Sequence, residues 1–273
     1  MKTVLRLLGL LCIAVVLFAG VRIWRVLNPA RRLLLKDGVD QSYAGRYADD
    51  PRYLELLSSA PKLRNDALLD IQSRLNSDVS SYFPLLAVRF SDLEEDFGQH
   101  DSVFGHGKFY GVAEIDVGAA LNQEVDVSKE MKHELTHTIM DLAMRTGFKQ
   151  LPLWVQEGSA VWMAEQVDSM LETYVQQALT HDVDPLSLID GLETEPHEPQ
   201  DYVEDGLFFA YIEDRFGRER VQRILNRIIW REPYREVFEQ ELGVTWTELQ
   251  HRAKSYALQE VTSAVLAHRD NEK

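Results

Sequence analysis

The chain has 273 residues, 45% of them hydrophobic, enough to bury one substantial core or one core with a small appendage, as in a soluble globular enzyme. Residues 1–36 hold Lys2, Arg6, Arg22, Arg25, Arg31, Arg32 and Lys36 and no acid, so the rest carries 29 − 7 = 22 basic against 44 acidic groups, near −22. That charge repels phosphate backbones and excludes nucleic-acid binding through a basic face, while the lone Cys12, in the apolar N-terminal run, excludes a disulfide framework or a thiolate site in the body.

Residues 7–21 are apolar and uncharged, with Lys2 and Arg6 before them and Arg22 after, the order of a membrane-targeting signal. The run is shorter than the usual span of about 20 residues, but Arg6 and Arg22 can snorkel and extend it to Trp24. Only Leu17-Phe18-Ala19 approaches a cleavage site, and a basic cluster follows it. Residues 1–25 therefore read as an uncleaved anchor in preference to a cleaved signal peptide, with secretion after cleavage as the alternative. The run has no polar face, which speaks against a helix of the core. Counting Lys and Arg on its two sides favours a cytoplasmic body. The signal-like order of charge, apolar run and small residues favours export, and an extracytoplasmic, periplasmic domain is the expectation.

Residues 37–62 are polar and rich in Asp, Tyr and Pro. They read as a linker, with residues 26–62 together a stalk, or as a pro-segment; the folded domain is expected over 63–268. Leu63, Ala67, Leu68, Ile71 and Leu75 recur at helical spacing and predict an amphipathic helix ending before Asn76-Ser77-Asp78. Residues 85–90 read as a buried strand. Gly105-His106-Gly107 suits a flexible loop or hairpin turn. Phe109 to Val117 alternates, with Phe109, Gly111, Ala113, Ile115 and Val117 on one side and Tyr110, Val112, Glu114 and Asp116 on a wetter one. An extended substrate is expected to lay its backbone along this strand as an edge.

From Asp126 the pattern turns helical, with Asp126 or Ser128 as N-cap and Gly147 as the stop. A second helix is expected to begin near Trp154, after Pro152, and to run past Glu165. Residues 182–201, with Pro185, Gly191, Pro196 and Pro199 among many acids, read as a surface loop. The remainder is helical: Val221, Ile224, Leu225, Ile228 and Ile229 mark one apolar stripe, and residues 246–267 form another helix.

The first of these helices carries His133-Glu134-Leu135-Thr136-His137. Residues four apart stand on one helical face about 5–6 Å apart at Cβ, close enough for both imidazoles to bind one metal ion. Glu134 is turned about 100° from His133, so it can address a water on the metal without being a ligand. A catalytic zinc takes three protein ligands and keeps one position open, so a third is required. Glu157 is the candidate, in the helix after Pro152, with Gly158 and Ala160 small enough for close helix approach and Trp154 and Trp162 packing the outside of the pair. Leu135, Ile139, Met140, Leu142 and Ala143 surround the histidines, so two bare imidazoles there need partners.

These residues resemble the gluzincin clan of zinc metallopeptidases, and within it the peptidase-MA-like families. The match is His133-Glu134-Leu135-Thr136-His137 followed by Leu151-Pro152-Leu153-Trp154-Val155-Gln156-Glu157-Gly158-Ser159-Ala160, with weaker likeness at 201–217 and 242–246, over roughly residues 80–265. The resemblance implies an α+β, zincin-like fold: a small mixed sheet over the active-site helix, then a mainly helical C-terminal half. It implies one Zn2+ held by His133, His137 and Glu157, and Glu134 as general base in peptide hydrolysis. Tyr202 is the first candidate to help the oxyanion, with His181 and His197 behind it. Asp141 also matches thermolysin, but Val161 stands where thermolysin has a carboxylate supporting a zinc histidine, so that support must come from elsewhere. Expected partners are a peptide or protein substrate and a membrane through the N-terminal segment, and no nucleic acid. The rival expectation is a catalytically silent, zinc-stabilised, membrane-anchored binding or scaffold protein; a third is an accessory subunit working through its stalk.

Overall fold

The computed structural model describes residues 38–40, 45–92, 105–108, 111–144, 151–189, 191–192 and 201–271. The expected anchor at 1–25, Phe109 and Tyr110, the Gly147 stop and His197 lie outside them. No helix among the described residues is long and apolar enough to cross a membrane.

The architecture is α+β and mostly helical. In chain order the elements are β1 (Val39–Asp40), α1 (Pro51–Leu75), β2 (Ala87–Ser91), β3 (Gly105–Lys108), β4 (Val112–Asp116), α2 (Val117–Leu121), α3 (Val127–Met144), α4 (Leu153–Met163), α5 (Val167–Thr180), α6 (Asp201–Phe216), α7 (Arg218–Ile229), α8 (Tyr234–Leu242) and α9 (Trp246–Asn271), with short 3₁₀ turns at Gly45–Tyr47, Ser80–Leu85 and Pro185–Leu188. The strands form one mixed sheet in the order β1-β2-β4-β3. β1 and β2 are parallel, as are β2 and β4, and β3 runs antiparallel to β4 with Gly105 opposite Ile115 and Lys108 opposite Val112. The glycine stretch expected as a loop is thus β3, paired with β4 through its main chain. It is β3, and not the expected 109–117 strand, that forms this edge. Alternation reveals a strand's two faces but not its place in the sheet. The wetter face holds at Val112 and Asp116, which are half-buried, while Glu114 between them departs from it: it is 1% exposed, bonded by the Ser91 hydroxyl.

α1 corrects the linker expectation. It begins at Pro51 rather than Leu63, capped by Asp50, whose side chain accepts from Arg52 N at 2.8 Å. Its buried stripe, Tyr53, Ala60, Arg64, Ala67, Leu68, Ile71, Arg74 and Leu75, keeps helical spacing throughout. The first half escapes a hydrophobicity reading because Pro61 lies within it and two stripe positions, 60 and 64, are Ala and Arg. Arg64 is buried only because its guanidinium donates to the carbonyls of Phe83 and Leu86 at 2.6 and 2.7 Å. The C-terminal end falls where expected: Asn76 takes the left-handed conformation, φ 49°.

α3 is the central helix, buried continuously from Met131 to Met140 and packed against α1, β3, β4 and α4. Asp126 caps it, accepting from Ser128 N and Lys129 N at 2.9 and 3.2 Å. The Thr136 and Thr138 hydroxyls return to the carbonyls of Lys132 and Glu134, both at 2.7 Å, so neither is stranded in the core.

The expected single helix through Glu165 is two. α4 ends at Met163, Glu165 turns at φ 57°, and α5 starts afresh at Val167. Trp154 and Trp162 are each 2% exposed and belong to the core, not the outside of a helix pair. Trp154 sits among Phe208 of α6, Tyr234 and Phe238 of α8 and Trp246 of α9, ring centroids 5.0–5.9 Å away. The close approach at Gly158 is made to α6 rather than to α3. A Cβ at Gly158 would lie 2.5 Å from the Asp205 carbonyl, and one at Gly206 would lie 2.6 Å from Val161 Cγ1. The two glycines let α4 and α6 close to contact, Gly158 against the α6 main chain and Gly206 against the Val161 side chain. In the expected loop at 182–201, Ile189 is buried in a smaller cluster with α5, α6 and α9.

Candidate metal centre

Three side chains converge between α3 and α4. His133 Nε2 and His137 Nε2 are 3.1 Å apart, and Glu157 Oε2 is 3.3 Å from the first and 3.2 Å from the second. They form a nearly equilateral triangle of lone-pair donors. With zinc bonds of about 2.0–2.1 Å, the edge of a tetrahedron is roughly 3.3 Å, so this donor set fits one such ion. Among the described residues this is the group that could hold a metal. The α3 spacing supplies two corners by local geometry. The third arrives because Pro152 starts α4, which packs on α3, and the Trp154 aromatic cluster holds its first turn.

The electrostatics favour a cation in the centre. Burial opposes charge on His133, but the Glu157 hydrogen bond and the charges of Glu134, Glu130 and Glu157 outweigh it and lift the imidazole to about 10. Burial likewise opposes charge on Glu157, yet His137 and His133 hold its carboxyl well below the usual range. Glu134, 4% exposed, lies beside them with Oε2 accepting no hydrogen bond among the described residues. Burial pushes its carboxyl well above the ordinary range, with the nearby charges of Glu130, Glu157 and Glu114 adding to the shift and that of His133 opposing it.

These shifts set a pH dependence for the metal-free protein. The stability from His133 is complete below its unfolded value near 6.5 and is lost as pH rises toward about 10. Glu134, also raised, acts in the same direction. The melting temperature of chelated protein is expected to fall between pH 6.5 and 10, while the stabilisation by added zinc grows, since binding displaces the His133 proton. A chelated protein whose melting temperature stays flat or rises over that interval contradicts this account.

Gln166, at the α4–α5 corner, supplies what the sequence did not name: its Oε1 is 2.8 Å from His133 Nδ1. Tyr202 is in the first turn of α6. Burial first, then the charges of Glu157, Asp205, Glu134 and Asp201, raise its phenol, so the hydroxyl keeps its proton. His181 is not brought in; it is exposed at the end of α5, its Nδ1 donating to the Gln177 carbonyl at 2.8 Å. No protein-family model, curated protein or solved structure matches this chain.

Proposed function

We propose that the chain is a zinc-dependent peptidase hydrolysing peptide bonds in protein or peptide substrates. In this reading it is held at a membrane by residues 1–25, with its catalytic domain on the extracytoplasmic, periplasmic side. The observation that carries it is the triangle of His133 Nε2, His137 Nε2 and Glu157 Oε2 with edges of 3.1–3.3 Å, beside the buried Glu134 carboxyl, whose Oε2 accepts no hydrogen bond among the described residues. Structural zinc sites use four protein ligands and catalytic sites three, and three are offered among the described residues. The gluzincin-like residues at 133–137 and 151–160 support the same reading, as does a mixed sheet beside the histidine helix for a zincin-like fold.

Bound zinc supplies a Lewis acid that acidifies a water and polarises the scissile carbonyl. Glu134 accepts the proton from the attacking water and returns it to the leaving amine. Tyr202, protonated at neutral pH, donates to the developing oxyanion. An extended substrate pairs its main chain along the β3 edge, which packs beside α3.

The purified protein is expected to carry one zinc per chain, to cleave casein, and to lose cleavage on chelation and regain it with zinc. If chelation lowers only the melting temperature, and the zinc-loaded protein leaves casein intact, the silent scaffold reading takes over.

A further inference from the structure

We infer that Gln166 is the positioning residue of this centre, an amide locked by Glu130 so that it accepts the His133 Nδ1 proton and aims the His133 Nε2 lone pair at the metal. The inference rests on the zinc reading of His133, His137 and Glu157. A metal-binding imidazole has to keep its proton on the far nitrogen, and whatever accepts that proton fixes both tautomer and ring orientation. Here the acceptor is neutral, and a carboxamide is ambiguous because its oxygen and nitrogen can exchange places by a flip. The ambiguity is removed one bond further on: Gln166 Nε2 donates to Glu130 Oε2 at 3.1 Å. A carboxylate only accepts, so it holds the amide nitrogen and leaves Oε1 for His133. Glu130 and His133 share α3, so the relay leaves that helix, crosses to the α4–α5 corner and returns.

The corner is built to hold the amide still. Glu165, at φ 57°, is paired with Arg74 of α1 and with Lys132 of α3, the latter at 3.4 Å. Arg74 also donates to the Trp162 carbonyl at 3.0 Å and lies 4.6 Å over the Trp162 ring. Lys132 reaches Asp70 at 3.0 Å. Gln166 N donates to the Val161 carbonyl at 3.1 Å, and its own carbonyl accepts from Met170 N at 2.9 Å. Two cations from two helices therefore pin the residue before the amide. A helix running straight through Glu165 would carry Gln166 off along its axis.

The amide passes the Glu130 charge to the imidazole by polarisation rather than by contact. Exchanging the two side chains, Glu130→Gln with Gln166→Glu, puts a carboxylate directly on Nδ1 and leaves the net charge unchanged. Zinc affinity, read by competition with a chromophoric chelator, is expected to fall about 10- to 100-fold in Gln166→Leu. Gln166→Leu removes two hydrogen bonds from a part-buried corner, so its zinc-free melting temperature is expected to fall, and the exchanged double variant, which remakes both bonds, is expected to recover it. The exchanged double variant is expected to bind zinc at least as tightly as wild type. Wild-type affinity in Gln166→Leu overturns the inference. So does a double variant as weak as Gln166→Leu. A wild-type protein that binds no zinc is a separate result, which removes the peptidase reading and this inference together.

Discussion

Replacing Glu134 with glutamine is expected to slow peptide hydrolysis by about 10²- to 10⁴-fold, the range a general base contributes, with zinc content unchanged. The substitution preserves shape and removes the basic oxygen. Glu134 Oε2 accepts no hydrogen bond among the described residues, so the amide breaks no existing contact of that atom. The ligand triangle, made by other side chains, stays in place. Glu134 is buried, and the main-chain carbonyl that receives the Thr138 hydroxyl at 2.7 Å is unaffected, so α3 should fold as before. The measurement is initial rate on casein or a quenched peptide, beside metal analysis and a melting curve of the same preparation. Wild-type turnover in a zinc-loaded Glu134→Gln protein removes Glu134 from the mechanism.

Glu157→Ala is the second large effect: zinc affinity should fall by more than the roughly 10- to 100-fold that loss of an outer supporting residue costs, because a direct donor is lost. Glu157 is the anion of the triangle, and without it two neutral imidazoles face the ion alone. Alanine favours the helix that Glu157 occupies. Val155, Gly158, Ser159 and Ala160 around it pack as before. The loss should therefore appear as weaker metal competition and a smaller zinc-induced rise in melting temperature, not as unfolding. A variant that competes for zinc as wild type does would assign the third corner to another group. Ranking Glu157→Ala against Gln166→Leu also separates ligand from support, since the first should be the weaker binder.

The two histidines and the acid between them were legible from spacing because four residues along a helix are neighbours whatever the rest of the chain does. Glu157 was legible because Pro152, between it and His137, restarts a helix that carries a second acid. The C-terminal stripe from Val221 to Ile229 was equally plain, since all five of its apolar residues are buried at helical spacing. The extent of α1 was not, because the missed stretch 51–62 contains Pro61 and its buried positions are only Tyr53 and Ala60. Trp154 and Trp162 were assigned to the outside of the helix pair because α6, α8 and α9, which enclose Trp154, come 47 or more residues later in the chain.

The sequence by itself determined the chemistry available to the chain: two imidazoles one turn apart, a neighbouring acid, and a second acid on the next helix. Those follow from the fixed rise and rotation of an α-helix, which need no tertiary contact. Only the tertiary structure decided which groups the chemistry is tuned by. Gln166 meets His133 because a left-handed residue at 165, held by Arg74 and Lys132, turns the chain there. The α4–α6 pairing is close because Gly158 and Gly206 let the two helices come to contact. The outer strand on the β4 side of the described sheet is β3, because pairing order rather than alternation decides which strand lies outermost. Each of these depends on the energy of contacts between distant segments, which local periodicity does not encode.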